Sequence, residues 1–311
     1  MKSMTMNIGA DQPFDAAIIG GNFAGLQAAL YLLRGRRRIV LFDDGLGRNR
    51  FAAHSHGFLG HDGLSPDAIR ENAMVQLQAY PGFTFVPARV SGLKRQEVFR
   101  LAWAGGQAEA RRVILATGQR DILPDVPGLG ECWGITANQC PYCHGYELAD
   151  RPTGILLGTH PHAGHYLRQI LRWAGALTVF DNGAVLAAET LAIIAELGLA
   201  LVSGPIREID HEKGHIRAVH VVGTAAVLVE AFYLASATEP AAPLAAQLGC
   251  AFAQGPAGPH VETDRWQRTS VPGVFAAGDL ASPTPAAIFA AAAGATAGLG
   301  CDMDLAGLLP A

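Results

Sequence analysis

The sequence predicts an α/β fold with two units of parallel strands alternating with helices. Three observations carry this expectation. An apolar run, a glycine-rich turn and a helical repeat follow one another over residues 14–43. The same order recurs over residues 154–181, and the spacing from turn glycine to strand-end aspartate is 23 residues in both, Gly20 to Asp43 and Gly158 to Asp181. The chain has 311 residues, 50% hydrophobic and 16% charged. That is too apolar for disorder and long enough for about two domains.

Phe14-Asp15-Ala16-Ala17-Ile18-Ile19-Gly20 reads as a buried parallel strand. Gly20-Gly21-Asn22-Phe23-Ala24-Gly25 is the turn, and Leu26, Leu30 and Leu33 give a helical face. Arg38 to Asp43 is a second strand ending in an acid. Together these form a Rossmann-like βαβ unit with a dinucleotide fingerprint. Gly20 permits the tight turn and Gly25 close helix packing. The helix start offers N–H groups to a pyrophosphate, and Asp43 can accept from a ribose hydroxyl. Asn22 takes the place of the middle glycine, as a residue that tolerates unusual backbone angles. The plain alternative is a βαβ turn without a ligand.

In the second unit the strand Gly154–Gly158 leads to the turn Thr159–Gly164, then to helical spacing at Leu167, Ile170 and Leu171, then to the strand Leu177–Asp181. His160 occupies the position of the second turn glycine, where a side chain obstructs a pyrophosphate. Asp181 repels a 2′-phosphate, and no arginine follows it closely. NADPH is disfavoured on these grounds. NADH or a second flavin at Gly158, His160, His162, Ala163 and Asp181 is less so, and a unit that binds nothing is the alternative. His160, His162 and His165 lack further ligands nearby, so no metal site is predicted.

The net charge is −4, from 23 basic and 27 acidic residues. That disfavours nucleic acid as a partner. The start of the chain lacks a secretory pattern, and Leu280–Cys301 reads as a weakly apolar buried helix rather than a membrane span. A cytoplasmic protein is expected. Five cysteines make no disulfide scaffold. Cys140-Pro141-Tyr142-Cys143 is the sharpest motif, and it suits a redox dithiol. Half of a zinc site is the alternative, but Cys132, Cys250 and Cys301 are isolated. His144 follows at once and either shuttles protons for the thiols or is a turn histidine. His54 and His56 flank a glycine-rich segment, to polarise a cofactor or the dithiol, or simply to hold the loop.

With these motifs in view, the chain resembles the low-molecular-weight thioredoxin reductase family over about Asp15 to Gly300. Val113-Ile114-Leu115-Ala116-Thr117-Gly118 is similar to the strand that closes the family's first flavin segment. Thr269–Asp279 is similar to its closing flavin motif. The resemblance implies an FAD domain at residues 1–119 and 244–311, with a second domain, 120–243, inserted and carrying the dithiol. It assigns the flavin to Gly20, Asn22, Phe23, Ala24, Gly25, Asp43, Asn49, His54, His56, Ala116, Thr117, Gly118, Gly278, Asp279 and Ala286. Asp279 would hold the ribityl chain, and the helix after it would aim its N-terminus at the ring. Cys143 would face the flavin and Cys140 the substrate. A homodimer is implied, with thioredoxin or a small dithiol or disulfide as partner.

The departures are informative. His144 stands where the family has an aspartate, and Pro285, Ala286 and Ala287 stand where a flavin-facing glutamine is usual. The Cys-Pro-Tyr-Cys-His-Gly segment, with His54 and His56 upstream, is more like a divergent branch. The expected function is an FAD-dependent disulfide oxidoreductase that does not use NADPH efficiently, with ferredoxin or a second flavin as donor. The alternatives are an oxidase that passes electrons from a small dithiol to oxygen, and a non-catalytic flavin-binding or zinc-stabilised interaction protein.

Overall fold

The apolar run Phe14–Ile19 forms a strand buried at its last four positions. It lies between Ile39–Phe42 and Gly106–Leu115, both parallel to it. The computed structural model describes residues 6–9, 11–157 and 162–309. Among the described residues these strands belong to an eight-stranded sheet. Phe83–Val86 extends it at one edge, and an antiparallel meander of Gly92–Arg95, Phe99–Trp103 and Gly106–Leu115 extends it at the other. Val274–Ala276 returns from far along the chain to pair with Gly106–Leu115. Ile18, Leu41 and Ile114 are fully buried on one face, under the helices Phe23–Arg34 and Ala287–Leu305. Glycines let those two helices meet: a Cβ at Gly294 would lie 2.1 Å from the Ala24 carbonyl oxygen.

Contacts divide the chain into two units. The first comprises Met1–Arg50, Leu64–Arg120 and Thr238–Ala311, and the second Phe51–Gly63 and Asp121–Ala237. The second unit is thus an insertion in chain order. It differs from the sequence-based boundaries by taking in residues 51–63. Phe51 packs where a Cβ at Gly134 would come within 2.7 Å, and His56 approaches Glu147.

The second unit has its own parallel sheet, in the order Ala200–Val202, Ala176–Phe180, Pro152–Leu156, Ala231–Leu234 and Ala137–Asn138. The helices Ala163–Ile170 and Ala188–Glu196 contribute to the core on one face. The antiparallel strands Ile206–Glu212, His215–Val221 and Val227–Leu228 form a separate three-stranded sheet. Its apolar side chains share the other core cluster. Among the described residues no helix is long and apolar enough to cross a membrane.

Candidate active site

The glycine turn of the first unit is held by steric necessity. Gly20 has φ +110°, and a Cβ there would stand 2.2 Å from the Ala116 carbonyl oxygen. A Cβ at Gly25 would stand 1.8 Å from the Gly20 carbonyl oxygen. Asn22 departs from the sequence reading. Its backbone is ordinary and extended, at φ −100° and ψ −168°. The residue is there for its amide. Oδ1 accepts from the Phe23 N–H at 2.9 Å, and Nδ2 donates to Asn49 Oδ1 at 2.8 Å. Phe23 and Ala24 are buried. No acid stands in the first turn of the helix, so its N-terminal field is left for an anionic ligand.

Asp43 ends its strand beside this turn. One oxygen accepts from the Gly21 N–H at 3.0 Å and the other from Arg70 Nη2 at 2.5 Å. Arg70, on the helix Pro66–Gln78, also donates to the Gly21 carbonyl at 3.2 Å. Each carboxylate oxygen retains a further lone pair for a hydroxyl. Sequence reasoning missed Arg70, because only the fold brings it to Asp43.

At the other motif, the Ala277 N–H donates to the Leu115 carbonyl at 2.9 Å, and Asp279 pairs with Arg48 at 3.1 Å. The long helix does not follow Asp279 directly. A short turn, Gly278–Ala281, and the Pro283–Pro285 stretch intervene, and the helix starts at Ala287 with Ala286 as its cap residue. Proline disfavours helical geometry in the residue before it, which delays the start. Arg48, Asp279, Gln119, Thr238, His260 and Pro285 are among the residues lining a cleft in this unit. Gln119 Nε2 donates to the Pro259 carbonyl at 2.9 Å, yet Gln119 Oε1 and His260 Nδ1 are buried without partners. Ala116 is buried, its N–H on the Ile19 carbonyl, and the Gly118 carbonyl after Thr117 accepts from Ala241.

In the second unit, the edge strand Ala137–Asn138 runs into the cysteine pair. Cys140 is extended at φ −101° and ψ 113° and caps the short helix Pro141–His144. Proline suits that first helical position because its missing N–H has no helical partner there. The Cys143 N–H donates to the Cys140 carbonyl at 3.2 Å, and both cysteines are half-buried. The other three are core residues. Burial pushes the Cys132 thiol up to about 12, and burial also raises the thiols of Cys250 and Cys301.

His144 follows the pair. Burial lowers its pKa, Glu147 opposes this and His56 adds to it. His144 Nε2 is buried without a partner. His56 Nε2 lies 3.5 Å from Glu147 Oε1, and His56 Nδ1 lies 3.5 Å from Asp62. His54 Nδ1 lies 3.0 Å from the Gly63 carbonyl oxygen. Both histidines therefore sit in the unit that carries the dithiol, whereas the sequence reading assigned them to the flavin domain. Spacing could not show this, since Glu147 is 91 residues from His56.

Gly158 and His160 lie outside the described residues. His162 is exposed at the helix cap position, where its side chain makes no capping bond to the helix, and the Ala163 side chain packs in the core. Asp181 is only 7% exposed. Burial raises its pKa, but the Ser203 hydroxyl and the amides of Gly204 and Gly183 outweigh that and hold it below the ordinary range. The two amide contacts are 2.9 and 2.8 Å.

The family model for pyridine nucleotide-disulphide oxidoreductases matches residues 14–160. Thioredoxin reductase sirT of Leptosphaeria maculans is 34% identical, over 94% of this chain and 95% of its own. The chain belongs to the thioredoxin reductase-like pyridine nucleotide-disulphide oxidoreductases. Thioredoxin reductase tcpT of Claviceps purpurea is 32% identical over 88% of this chain and 90% of its own. The crystal structure of an oxidoreductase from Agrobacterium tumefaciens is 37% identical, covers 95% of this chain and 99% of its own, and superimposes with a TM-score of 0.88.

Membership of this family makes the protein an FAD-dependent disulfide oxidoreductase. The residues of the first unit fit FAD. The glycine turn leaves no room for side chains, and the cleft beside Asp279 contains two buried polar atoms that lack partners. Such atoms are rare in a finished fold and are expected where a ligand belongs. Arg48, Arg70, Gln119 and His260 lie beside residues named from the sequence. Each is recruited by tertiary structure, so no local motif announces it.

Proposed function

We propose that Cys140 and Cys143 are the redox pair of this oxidoreductase and that its physiological electron donor is not NADPH. The carrying observation is the second unit's Asp181. Its buried carboxylate already holds Ser203, Gly204 and Gly183. Its charge would repel a 2′-phosphate, and two backbone amides already bind one of its oxygens, which disfavours the recognition that NADPH needs. A ferredoxin or a second flavin is the donor class that needs no such recognition.

In the reducing direction, the Cys140 thiolate attacks a disulfide of thioredoxin type. A Cys140–substrate disulfide forms and one substrate thiolate leaves. The Cys143 thiolate then attacks the Cys140 sulfur, closing the Cys140–Cys143 disulfide and releasing the second substrate thiolate. Two electrons have moved from the pair to the substrate. His144, neutral because it is buried, accepts and returns protons as the thiols ionise. When bound, FAD supplies the two-electron exchange that restores the dithiol. Gly20, Asn22, Phe23, Ala24, Gly25, Asp43 and Asn49 would hold its adenosine and pyrophosphate portion. Arg48, Ala116, Thr117, Gly118, Gly278, Asp279 and Ala286 would hold the remainder.

A second reading is a small-dithiol oxidase that delivers electrons to oxygen. The surface beside the pair favours it. Tyr142 is 62% exposed and meets Trp173 edge-on at 5.3 Å, with the Arg172 guanidinium 4.9 Å over the same indole. Such a patch can receive a small apolar ring.

Anaerobic mixing with NADPH tests the donor. The expected result is a flavin absorbance that stays unbleached over many turnover times but bleaches with reduced ferredoxin. Rapid stoichiometric bleaching by NADPH would overturn the proposal. Thioredoxin turnover against peroxide release with small dithiols separates the two directions.

A further inference from the structure

Tyr233 lies outside every motif, yet its phenol is near enough to the cysteine pair for Cys140 and Cys143 to act on it. It belongs to the strand Ala231–Leu234 and is 2% exposed. Its Cα partner on the neighbouring parallel strand is Asn138, so the two side chains share a face of the sheet. Cys140 is two residues beyond Asn138 and is itself extended. The helix Ala163–Ile170 covers this face, and its Tyr166 packs in the same apolar cluster as Tyr233. The Tyr166 hydroxyl donates to the Gln139 carbonyl at 2.7 Å, immediately before Cys140. Two phenols thus approach the chain where it enters the dithiol turn.

The two phenols differ in one respect. Tyr166 has a partner for its hydroxyl, whereas the Tyr233 hydroxyl is buried and has none. A buried hydroxyl without a partner destabilises a fold, and phenylalanine would relieve it at no loss of packing. The neighbouring position is in fact Phe232, fully buried in the other core cluster. The hydroxyl therefore has a use that appears in another state of the site.

We propose that the Tyr233 hydroxyl is the hydrogen-bond donor that settles on the Cys140 thiolate when the reduced pair ionises. The proposal rests on the reading of Cys140 and Cys143 as the redox pair. Tyr233 stays protonated and so able to donate, because burial first, then Cys140, Glu147 and Cys143, raise its pKa far beyond the working range. A donor to a thiolate makes a charge-assisted bond and lowers the thiol pKa. The groups facing the pair are Tyr166 on the covering helix, Tyr233 on the strand, His144 and Glu147 on the dithiol segment, and His56 on the segment Phe51–Gly63. Among the phenols, Tyr233 is the one with its hydroxyl uncommitted. It is a positioning residue, since it acts by holding charge on Cys140 rather than by exchanging with substrate.

The test is the pH dependence of iodoacetamide alkylation in the reduced, full-length holoenzyme. Cys132, Cys250 and Cys301 are buried, so the fast phase reports the pair. In Tyr233→Phe the pKa of the more reactive thiol should rise by about one unit, making alkylation below that pKa roughly tenfold slower. The melting temperature should stay the same or rise. An unchanged pH profile, whether or not stability changes, overturns the proposal. A second measurement does not depend on the variant folding. With 3-fluorotyrosine at position 233, the fluorine resonance should titrate together with the thiol in reduced protein, and a resonance that stays fixed overturns the proposal. Cys140→Ser is the control for the underlying reading. If that variant still exchanges with disulfides, the redox assignment fails and the Tyr233 role falls with it. If Cys140→Ser is dead and Tyr233→Phe matches the parent, only the Tyr233 role is lost.

Discussion

His144 shows how one buried atom links charge to function. Its imidazole is kept neutral chiefly by burial, which Glu147 only partly offsets. The unfolded chain protonates this group near the ordinary value of about 6.5, while the folded chain resists. The folded pKa is depressed, so the unfolded state binds more protons and stability is lost as pH falls from above 6.5 through the folded pKa. His144→Gln should therefore lose less stability than the parent between pH 8 and pH 5, measured by thermal melting at each pH. The same variant should slow disulfide exchange by about a hundredfold at neutral pH if His144 handles the protons. Loss of the pH-dependent stability difference without loss of rate would assign the histidine to structure alone. The sequence pointed to His144 because it is adjacent to Cys143. It could not reveal that Nε2 is buried without a partner, nor that Tyr233 lies near the pair, because both depend on side chains brought together by the sheet.

At the scale of elements, legibility follows how local the physics is. The turn Gly20–Gly25 was readable because its constraints lie within one βαβ unit: Gly25 meets the Gly20 carbonyl, five residues away. Gly25→Ala should thus displace the helix Phe23–Arg34 from its strand. The expected cost is about 3 kcal/mol, at the upper end of overpacking, together with loss of most bound flavin. Flavin-to-protein ratio and melting temperature after purification check this, and a yellow, fully stable variant would show that the turn can relax. Contacts around the second strand-end acid are less local. Asp181 has the spacing of a ribose-binding acid, and Ser203 and Gly204, from beyond the next helix, also bond its carboxylate. Asn22 illustrates the same limit. Its residue type suggested an unusual backbone angle, while the fold uses its amide to join Phe23 to Asn49.

At the scale of the whole molecule, the insertion makes a prediction about independence. The core divides cleanly: two apolar clusters draw only on the first unit and two only on the second. The chain leaves and re-enters the first unit through Gln119–Ile122 and Ala237–Pro240, which pair with each other as a two-stranded ribbon. Arg120 and Glu239 form an ion pair across that ribbon, so the two cut ends are already neighbours. Replacing residues 121–237 by a short glycine-serine link should therefore leave the first unit folded, as expected where termini of an inserted domain lie close together. Residues 51–63 would lose Gly134 and Glu147 as neighbours and should be trimmed as well. The remaining chain should unfold cooperatively and bind FAD within about tenfold of the parent affinity, a difference of roughly 1.4 kcal/mol. It should show no fast thiol alkylation, because only the buried Cys250 and Cys301 remain. Calorimetry and flavin titration read both properties. A product that unfolds without cooperativity would mean that the first unit needs the inserted one to complete its core, against the division of the apolar clusters. A folded product that cannot retain FAD would locate essential flavin contacts in the inserted segment, and the histidines His54 and His56 would then be the first residues to restore.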